Sequence, residues 1–571
     1  MEKSATEGPP PGTETLQGVT AAPGTAAAPV ARMGPRPRLP EHRPTVADPG
    51  AEGEAARRAL SRVADGFDAQ AGVLEGEAAE VLDALATMAR DPELARRAGE
   101  RAEGGEPAAW AVHAACDTYR ELLLAAGGYL AERAADLADI RDRAVALLLD
   151  EPMPGLPDPG VDHVLVADDL APADTVRLDT RRVQAIVTHK GGPTSHTAIL
   201  ARALGVPAVV GCPGAAGLRD GTVVAVDGDA GTVTVAPDPL RVQDLARRAA
   251  ERRSAWAEHS GPGHTLDGTS VALLLNLGEG DPAEAAEHDS EGVGLLRTEF
   301  LFLGRAEPPS VTEQTEVYQR VLEAFGGRTV TVRTLDAGSD KPLAFVDTGQ
   351  EDNPALGVRG YRTTGLFPEL LTEQITAIAA AARKTAAHVR VMAPMISTLA
   401  EAVEFAELVR GEGLPEAGVM IEVPGAALLA DRILQHVDFV SLGTNDLAQY
   451  TMAADRTLGP LSELLDPWQA AVLELVRVVG RAGEHRGRSV GVCGEAAADP
   501  LLAPVLVGLG VTSLSAVPAA LPAVRYALAR HTLDQCRRLA ELALAADGPE
   551  QARRAVRAAA VPEVPAGDQV V

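Results

Sequence analysis

Along the chain the spacing of apolar residues changes repeatedly. Leu16–Met33, LQGVTAAPGTAAAPVARM, holds two short apolar runs broken at Pro23-Gly24, which predicts a strand, a turn and a second strand. From Ala51 to Asp150 apolar positions recur three and four apart, as at Leu74, Ala78, Val81, Leu82 and Leu85, with breaks at Asp91-Pro92 and Gly104-Gly105-Glu106-Pro107. That period belongs to helices, and the breaks fold them into an antiparallel bundle. Beyond Pro154-Gly155-Leu156-Pro157 the texture becomes mixed. His163–Ala167 and Val183–Thr188 read as strands, Leu170–Leu178 as a turn and helix, and Thr222–Val226 with Thr232–Val235 as a hairpin around Asp227-Gly228-Asp229-Ala230-Gly231. Val242–His259 is charged and helical, ended by Gly261-Pro262-Gly263.

From about Leu266 to Ala545 apolar runs alternate with helical stretches. The runs are Val271–Leu275, Gly292–Leu296, Thr329–Arg333, His388–Ala393, Gly418–Glu422, Phe439–Leu442, Ser489–Cys493 and Val511–Ser515. Eight parallel-type strands separated by helices imply a (β/α)8 TIM barrel, whose sites lie at the C-terminal strand ends. The whole is multidomain α/β.

Composition narrows the function classes. The 571 residues are 46% hydrophobic and 23% charged, too long a chain for one core and suited to several globular domains. A net charge of −28 without a Lys/Arg-rich block argues against nucleic acid as a partner and favours a basic protein partner. Cys116, Cys212, Cys493 and Cys536 are far apart and lack metal-ligand spacing, so neither a disulfide framework nor a zinc site is implied. No apolar run approaches the roughly 18 residues of a spanning helix, and MEKSATEGPPPGTE has no apolar signal core. A reducing, cytoplasmic setting without membrane insertion is the expectation.

The candidate chemistry begins in KGGPTSHTAILARALGVPAVVG, residues 190–211. Ile199, Leu200, Ala203 and Leu204 recur at helical spacing until Gly205 and Pro207, which places His196 at a helix N-terminus. Free backbone N–H groups and the helix dipole would hold a phosphoryl group carried on that imidazole. On the local pattern alone, a helix capped by Thr194 or Ser195 with His196 as a bystander accounts for the same residues equally well. Around the barrel, Arg297 follows the second strand, Arg333 closes the third and Glu422 the fifth. Asn445 and Asp446 follow the sixth, with Arg456 shortly after, and Cys493 ends the seventh. Two guanidiniums clamp a phosphate and a carboxylate pair suits Mg2+, so the set is equipment for phosphoryl transfer. At a barrel mouth the carboxylates would point into solvent.

Gly-Gly-x-Thr-Ser-His at 191–196 and Ala-Arg-x-Leu-Gly-Val-Pro-Ala-Val-Val-Gly at 201–211 resemble the phosphohistidine segment of the family that includes enzyme I of the bacterial phosphoenolpyruvate:sugar phosphotransferase system, pyruvate phosphate dikinase and phosphoenolpyruvate synthase. LLRTEF at 295–300, RTLDAGSDK at 333–341, NPALGVRGYR at 353–362, APM at 393–395, IEVPGAA at 421–427, GTNDLAQYTMAADR at 443–456 and GVCGE at 491–495 are similar to the phosphoenolpyruvate-binding barrel of enzyme I. The Gly-x-x-x-x-Pro-Gly segment at 18–24 is similar to one that opens the histidine-bearing domain of enzyme I, and with that first domain included the resemblance spans nearly the whole chain from Gly18 to about Ala545. Ser339, where many relatives have glycine, and Pro193, where Arg or Thr is usual, depart from the pattern and bear on loop geometry.

The resemblance implies a discontinuous, swivelling phosphohistidine α/β domain at 16–50 and 151–240, with an inserted helical bundle at 51–150 that docks the carrier protein HPr. A disordered tail at 1–15, a linker helix at 241–262, a phosphoenolpyruvate-binding TIM barrel at 263–545 and a C-terminal tail at 546–571 complete the expected organisation. It further implies His196 as the phosphorylated residue and Glu422 and Asp446 as Mg2+ ligands. Arg297, Arg333, Asn445, Asp446 and Arg456 would contact substrate, Cys493 would protonate the enol carbon, and the barrel would pair as a homodimer. The thiol, with an ordinary pKa near ~8.5, would be largely protonated at neutral pH. A dikinase or synthase is disfavoured because no ATP-binding domain with a Gly-rich phosphate loop precedes His196. A paralogue of the nitrogen-regulatory branch, or a non-catalytic phosphoenolpyruvate-binding signalling protein, are the remaining alternatives. No amino-terminal sensor domain marks the nitrogen branch, and the complete residue set gives the signalling reading no support.

Overall fold

The computed structural model describes residues 14–560 except 23, 35–36, 72–84, 127–133, 152, 158, 169, 171–177, 179–181, 193–196, 199–200, 202–203, 279, 304, 339–342, 350 and 457–458. His196 and Pro193, Ser339, most of the proposed 170–178 helix and the Leu74–Leu82 stretch therefore lie outside the described residues. The chain divides into two compact units, one built from most of the residues up to Val242 and the other from Gln243 onward together with Ala21–Pro23 and Gly191–Gly205.

Before Val242, β1 (Thr15–Gln17), β2 (Val19–Ala22), β3 (Thr25–Arg32), β4 (His163–Ala167), β5 (Val183–Thr188), β6 (Ala208–Val210), β7 (Val223–Asp227) and β8 (Thr232–Val235) form one sheet in the order β1-β8-β7-β3-β4-β5-β6-β2. Strands separated by more than a hundred residues pair directly, with Val30 opposite Val164 in parallel and Ala27 opposite Ala225 antiparallel. The β7–β8 turn is closed by Asp227 Oδ1, which accepts from the Ala230 N–H at 2.9 Å, and by Gly231 at a φ of 68°. The 16–33 segment gives three strands where the sequence pattern predicted two, because the Gly18 N–H turns to the Gly231 carbonyl at 2.9 Å.

The helices Pro49–Ala71, Pro92–Glu103, Ala108–Ala126 and Ala134–Leu149, with a helical piece at 85–89, make up the bundle between β3 and β4. Its core is small and largely aliphatic, built on Ala56, Leu60, Val63, Leu94, Val112 and Ile140, with Phe67 beneath the Arg143 guanidinium at 5.0 Å. The break at Asp91-Pro92 is a helix start: Asp91 Oδ1 accepts from the N–H groups of Glu93 and Leu94, and Pro92 occupies the first turn, where it needs no donor.

In the second unit, β9 (Ala272–Leu277), β10 (Gly292–Leu296), β11 (Thr329–Arg333), β12 (His388–Ala393), β13 (Glu416–Ile421), β14 (Phe439–Leu442), β15 (Ser489–Val492) and β16 (Ser513–Ala516) close into a barrel of parallel strands. The first strand begins after Val271 because the Val271 N–H is taken by the Gly263 carbonyl at 2.9 Å. The last begins after Val511, whose N–H caps the preceding helix at Leu506. The expected C-terminal tail also needs correction. Pro549–Ala559 is an amphipathic helix that buries Ala552 and Val556 in the barrel core, while Arg553 donates to both oxygens of the buried Asp466 at 2.7 and 2.8 Å. Among the described residues no helix is long and apolar enough to cross a membrane.

Candidate active site

Register brings the polar residues to one rim. Ile421 pairs with Leu442 and Leu442 with Val492, so Glu422, Gly443 and Cys493 each stand one residue beyond matched strand ends. Arg333 is the last residue of β11 and Arg297 the first beyond β10. The helix Thr444–Met452 starts directly after β14, which puts Asn445 and Asp446 in its first turn. A cavity of about 450 Å³ opens there, and Arg297, Arg333, Glu422, Asn445, Asp446, Arg456 and Cys493 all line it. Leu295, Phe300, Leu303 and Met420 supply its apolar side.

The charges are ordered, not merely gathered. Arg333 is 7% exposed and ion-paired to Glu299 at 2.9 Å and Asp336 at 3.3 Å, while its Nε is buried without a hydrogen-bond partner. Burial alone would lower its pKa, but Glu299, Asp336 and Glu422 reverse that and leave it raised. Arg297 is open to the cavity's solvent, and among the described residues its side chain makes no hydrogen bond or ion pair. It is held below the ordinary arginine value, first by the cavity walls that displace solvent and then by the like charge of Arg333. A cation placed so has an unmet demand for an anion.

The carboxylates correct the sequence reading. Glu422 is 1% exposed and Asp446 6%, so both line the cavity from within the packed rim instead of standing in solvent. Glu422 accepts from the Met395 N–H at 2.8 Å, a donor aimed by a left-handed Met395 at a φ of 60°. A side chain at residue 443 would come within 2.6 Å of Glu422 Oε1, so Gly443 leaves the room the carboxylate occupies. Burial first, then the charges of Asp446 and Asp336, raise the Glu422 pKa against the opposing pull of Arg333.

The thiol differs from expectation too. Burial pushes Cys493 up to about 11, with the Ser441 hydroxyl opposing and Glu422 adding to the rise. The Cys493 N–H donates to Leu442 O at 3.1 Å, and Sγ faces the same carbonyl at 3.7 Å.

Residues that strand-end reasoning did not reach hold this arrangement. Arg359, 0% exposed, places its guanidinium between Asp336, at 3.2 Å, and Asp446, at 3.1 Å. Glu299 accepts from the Asp336 N–H at 2.9 Å, and Asn445 and Glu495 exchange hydrogen bonds at 3.1 and 3.3 Å. Both Asp336 and Arg359 fall within the quoted RTLDAGSDK and NPALGVRGYR segments, but in loops, where a strand-end rule gives no position.

Comparison with known proteins agrees with this geometry. The PEP-binding domain of PEP-utilising enzymes matches residues 253–533, their mobile domain 160–231 and their N-terminal domain 17–133. A phosphoenolpyruvate-protein phosphotransferase of Streptomyces coelicolor is 52% identical over 548 residues, covering 95% of this chain and 99% of the relative. One of Haloferax volcanii is 42% identical, over 82% of this chain and 85% of the relative. One of Geobacillus stearothermophilus is 34% identical, over 94% and 97%. With its barrel, its rim of cations and carboxylates and these near full-length relatives, the chain belongs to the family of PEP-utilising enzymes represented by the phosphoenolpyruvate-protein phosphotransferases.

Proposed function

We propose that this chain transfers the phosphoryl group of phosphoenolpyruvate to its own His196 and then to a histidine of an HPr-like carrier protein, releasing pyruvate. The observation that carries the reading is one cavity at the barrel's C-terminal rim, lined by Arg297, Arg333 and Arg456, two buried carboxylates and a buried thiol. Phosphate and carboxylate of the substrate meet the guanidiniums, Arg297 foremost because its side chain has no ion-pair partner among the described residues. The methylene faces the side formed by Leu295, Met420 and Cys493.

Mg2+ fits the donor set. Burial first, and then the charges of Asp446 and Asp336, disfavour the ionised Glu422, a penalty a cation would relieve, and carboxylate oxygens are the hard ligands that ion prefers. Glu422 and Asp446 would hold it. Among the described residues no group of three or more His, Cys, Asp or Glu side chains could form a cage, so substrate oxygens and water would complete its shell. Bound there, the ion would neutralise charge developing on the substrate oxygens.

Neutral His196 attacks phosphorus in line as the enol oxygen departs. Cys493, held protonated by its burial, gives its S–H proton to C3, and the enolpyruvate becomes pyruvate. The 51–150 helices would dock the carrier and the barrel would pair as a homodimer, both readings resting on family resemblance. Incubation with labelled phosphoenolpyruvate and Mg2+, followed by mapping of the adduct, tests the proposal. An acid-labile, base-stable label on His196 is expected, and label undiminished in His196→Ala refutes it.

A further inference from the structure

Cys493 is held from across the seam where the barrel closes. Asn276 lies near the end of β9, and its Nδ2 donates to the Cys493 carbonyl at 3.0 Å. β16 stands between β9 and β15, after which Cys493 follows, so the amide reaches over one whole strand. That intervening strand supplies the orienting group. Ser515, 3% exposed, places its hydroxyl 2.7 Å from Asn276 Oδ1, with the Leu275 carbonyl at 3.0 Å. The Cys493 carbonyl can only accept, so it selects the amide orientation with Nδ2 toward it and leaves Oδ1 for the Ser515 hydroxyl, because the flipped amide would face that carbonyl acceptor to acceptor.

The site is fitted for this contact. A side chain at residue 294 would come within 2.5 Å of Ser515 Oγ, so Gly294 on β10, the strand beyond β9, keeps the hydroxyl's place open. On its other flank the same loop is tied by the Asn445–Glu495 exchange. Among the described residues the thiol itself is held by nothing stronger than a 3.7 Å approach to Leu442 O and the Ser441 hydroxyl, so its direction follows from the backbone that carries it. Neither Asn276 nor Ser515 lines the cavity.

We propose that Asn276, oriented by Ser515, is a positioning residue for proton delivery. It fixes the Cys493 carbonyl and thereby the direction of the Cβ–Sγ bond toward C3 of enolpyruvate. The inference rests on Cys493 as the proton donor. In that step the S–H bond breaks as the C3–H bond forms from the C2–C3 electron pair of the enolate left by phosphoryl transfer, whose oxygen becomes the ketone carbonyl. The thiolate left behind regains a proton from water after pyruvate departs.

The test uses the full chain with phosphoenolpyruvate, Mg2+ and HPr, and compares Asn276→Ala and Ser515→Ala with the parent. Misplacing a proton donor by a fraction of an ångström predicts a fall in kcat of about tenfold for Asn276→Ala, with KM for phosphoenolpyruvate within about twofold. The solvent deuterium isotope effect on kcat should rise by about twofold over the parent as protonation becomes slower, and Ser515→Ala should move in the same direction by less. Turnover like the parent's overturns the proposal. So does a lowered kcat with an unchanged isotope effect, which would make Asn276 a brace of the barrel seam alone. Cys493→Ala separates the two levels, since near-parent pyruvate formation in that variant refutes the donor assignment itself, whatever Asn276 does.

Discussion

Arg359 is a cation without a route to water, and its neutrality is shared between Asp336 and Asp446. Asp446 thus has two tasks, as a member of the rim and as a counter-ion. Asp446→Ala should therefore lose stability as well as activity, by about 2–3 kcal/mol, because a buried guanidinium loses a charged partner. Thermal or urea unfolding measures the loss, and replacing Arg359 by Met in the same chain should recover part of it. Unchanged stability in the single variant would remove Asp446 from that role. The thiols give a second residue-scale expectation. Burial raises Cys493 to about 11 and Cys116 and Cys536 to about 12. Only the thiolate reacts, and a raised pKa leaves little of it at neutral pH. Iodoacetamide labelling of the native chain at pH 8 should be slow at these three, quickening about tenfold per pH unit, whereas in denaturant all four cysteines react. Fast labelling of native Cys493 at pH 8 would contradict its burial as a proton donor.

At the scale of elements, matched strand ends turn sequence neighbours into site neighbours: a one-residue step beyond β13, β14 and β15 yields Glu422, Gly443 and Cys493 side by side. This part was legible beforehand. Thr329–Arg333, His388–Ala393 and Phe439–Leu442 are strands with the bounds read from the sequence, because Val, Thr, Phe and other residues that fit a buried pleated strand dominate each run. Arg359 and Asp336 were not singled out, since no periodicity marks a loop residue that folds back under the rim. The depth of Glu422 and Asp446 escaped for a related reason, as burial there depends on Met395, Gly443 and Arg359 from other segments. The C-terminal helix went unread because its short apolar stripe has meaning only against the barrel. Its Arg553 answers the buried Asp466 and lies 5.6 Å from the centre of the Trp468 ring. Arg553→Ala should cost about 2 kcal/mol through the orphaned carboxylate, and Arg553→Lys should restore only part, since one ammonium cannot match two carboxylate oxygens at once. Equal melting temperatures for parent and Arg553→Ala would show the helix to be peripheral.

For the whole molecule, a net charge of −28 repels a small anion, so the guanidiniums at the barrel rim must overcome that field locally. The proposed phosphoryl acceptor, His196, lies in the sequence before Val242, and the cavity residues lie after it, at the rim of the closed barrel. If the cavity is where phosphoenolpyruvate is consumed, the two half-reactions should separate on a single substitution. The measurement is label transfer to the Arg297→Met chain from each of two donors, phosphoenolpyruvate with Mg2+ and phosphorylated HPr. Transfer from phosphoenolpyruvate should fall by about a hundredfold or more, the scale of losing one well-placed donor to developing charge, while exchange with phosphorylated HPr stays near the parent rate. Retained labelling from phosphoenolpyruvate, or equal loss from both donors, would contradict the account.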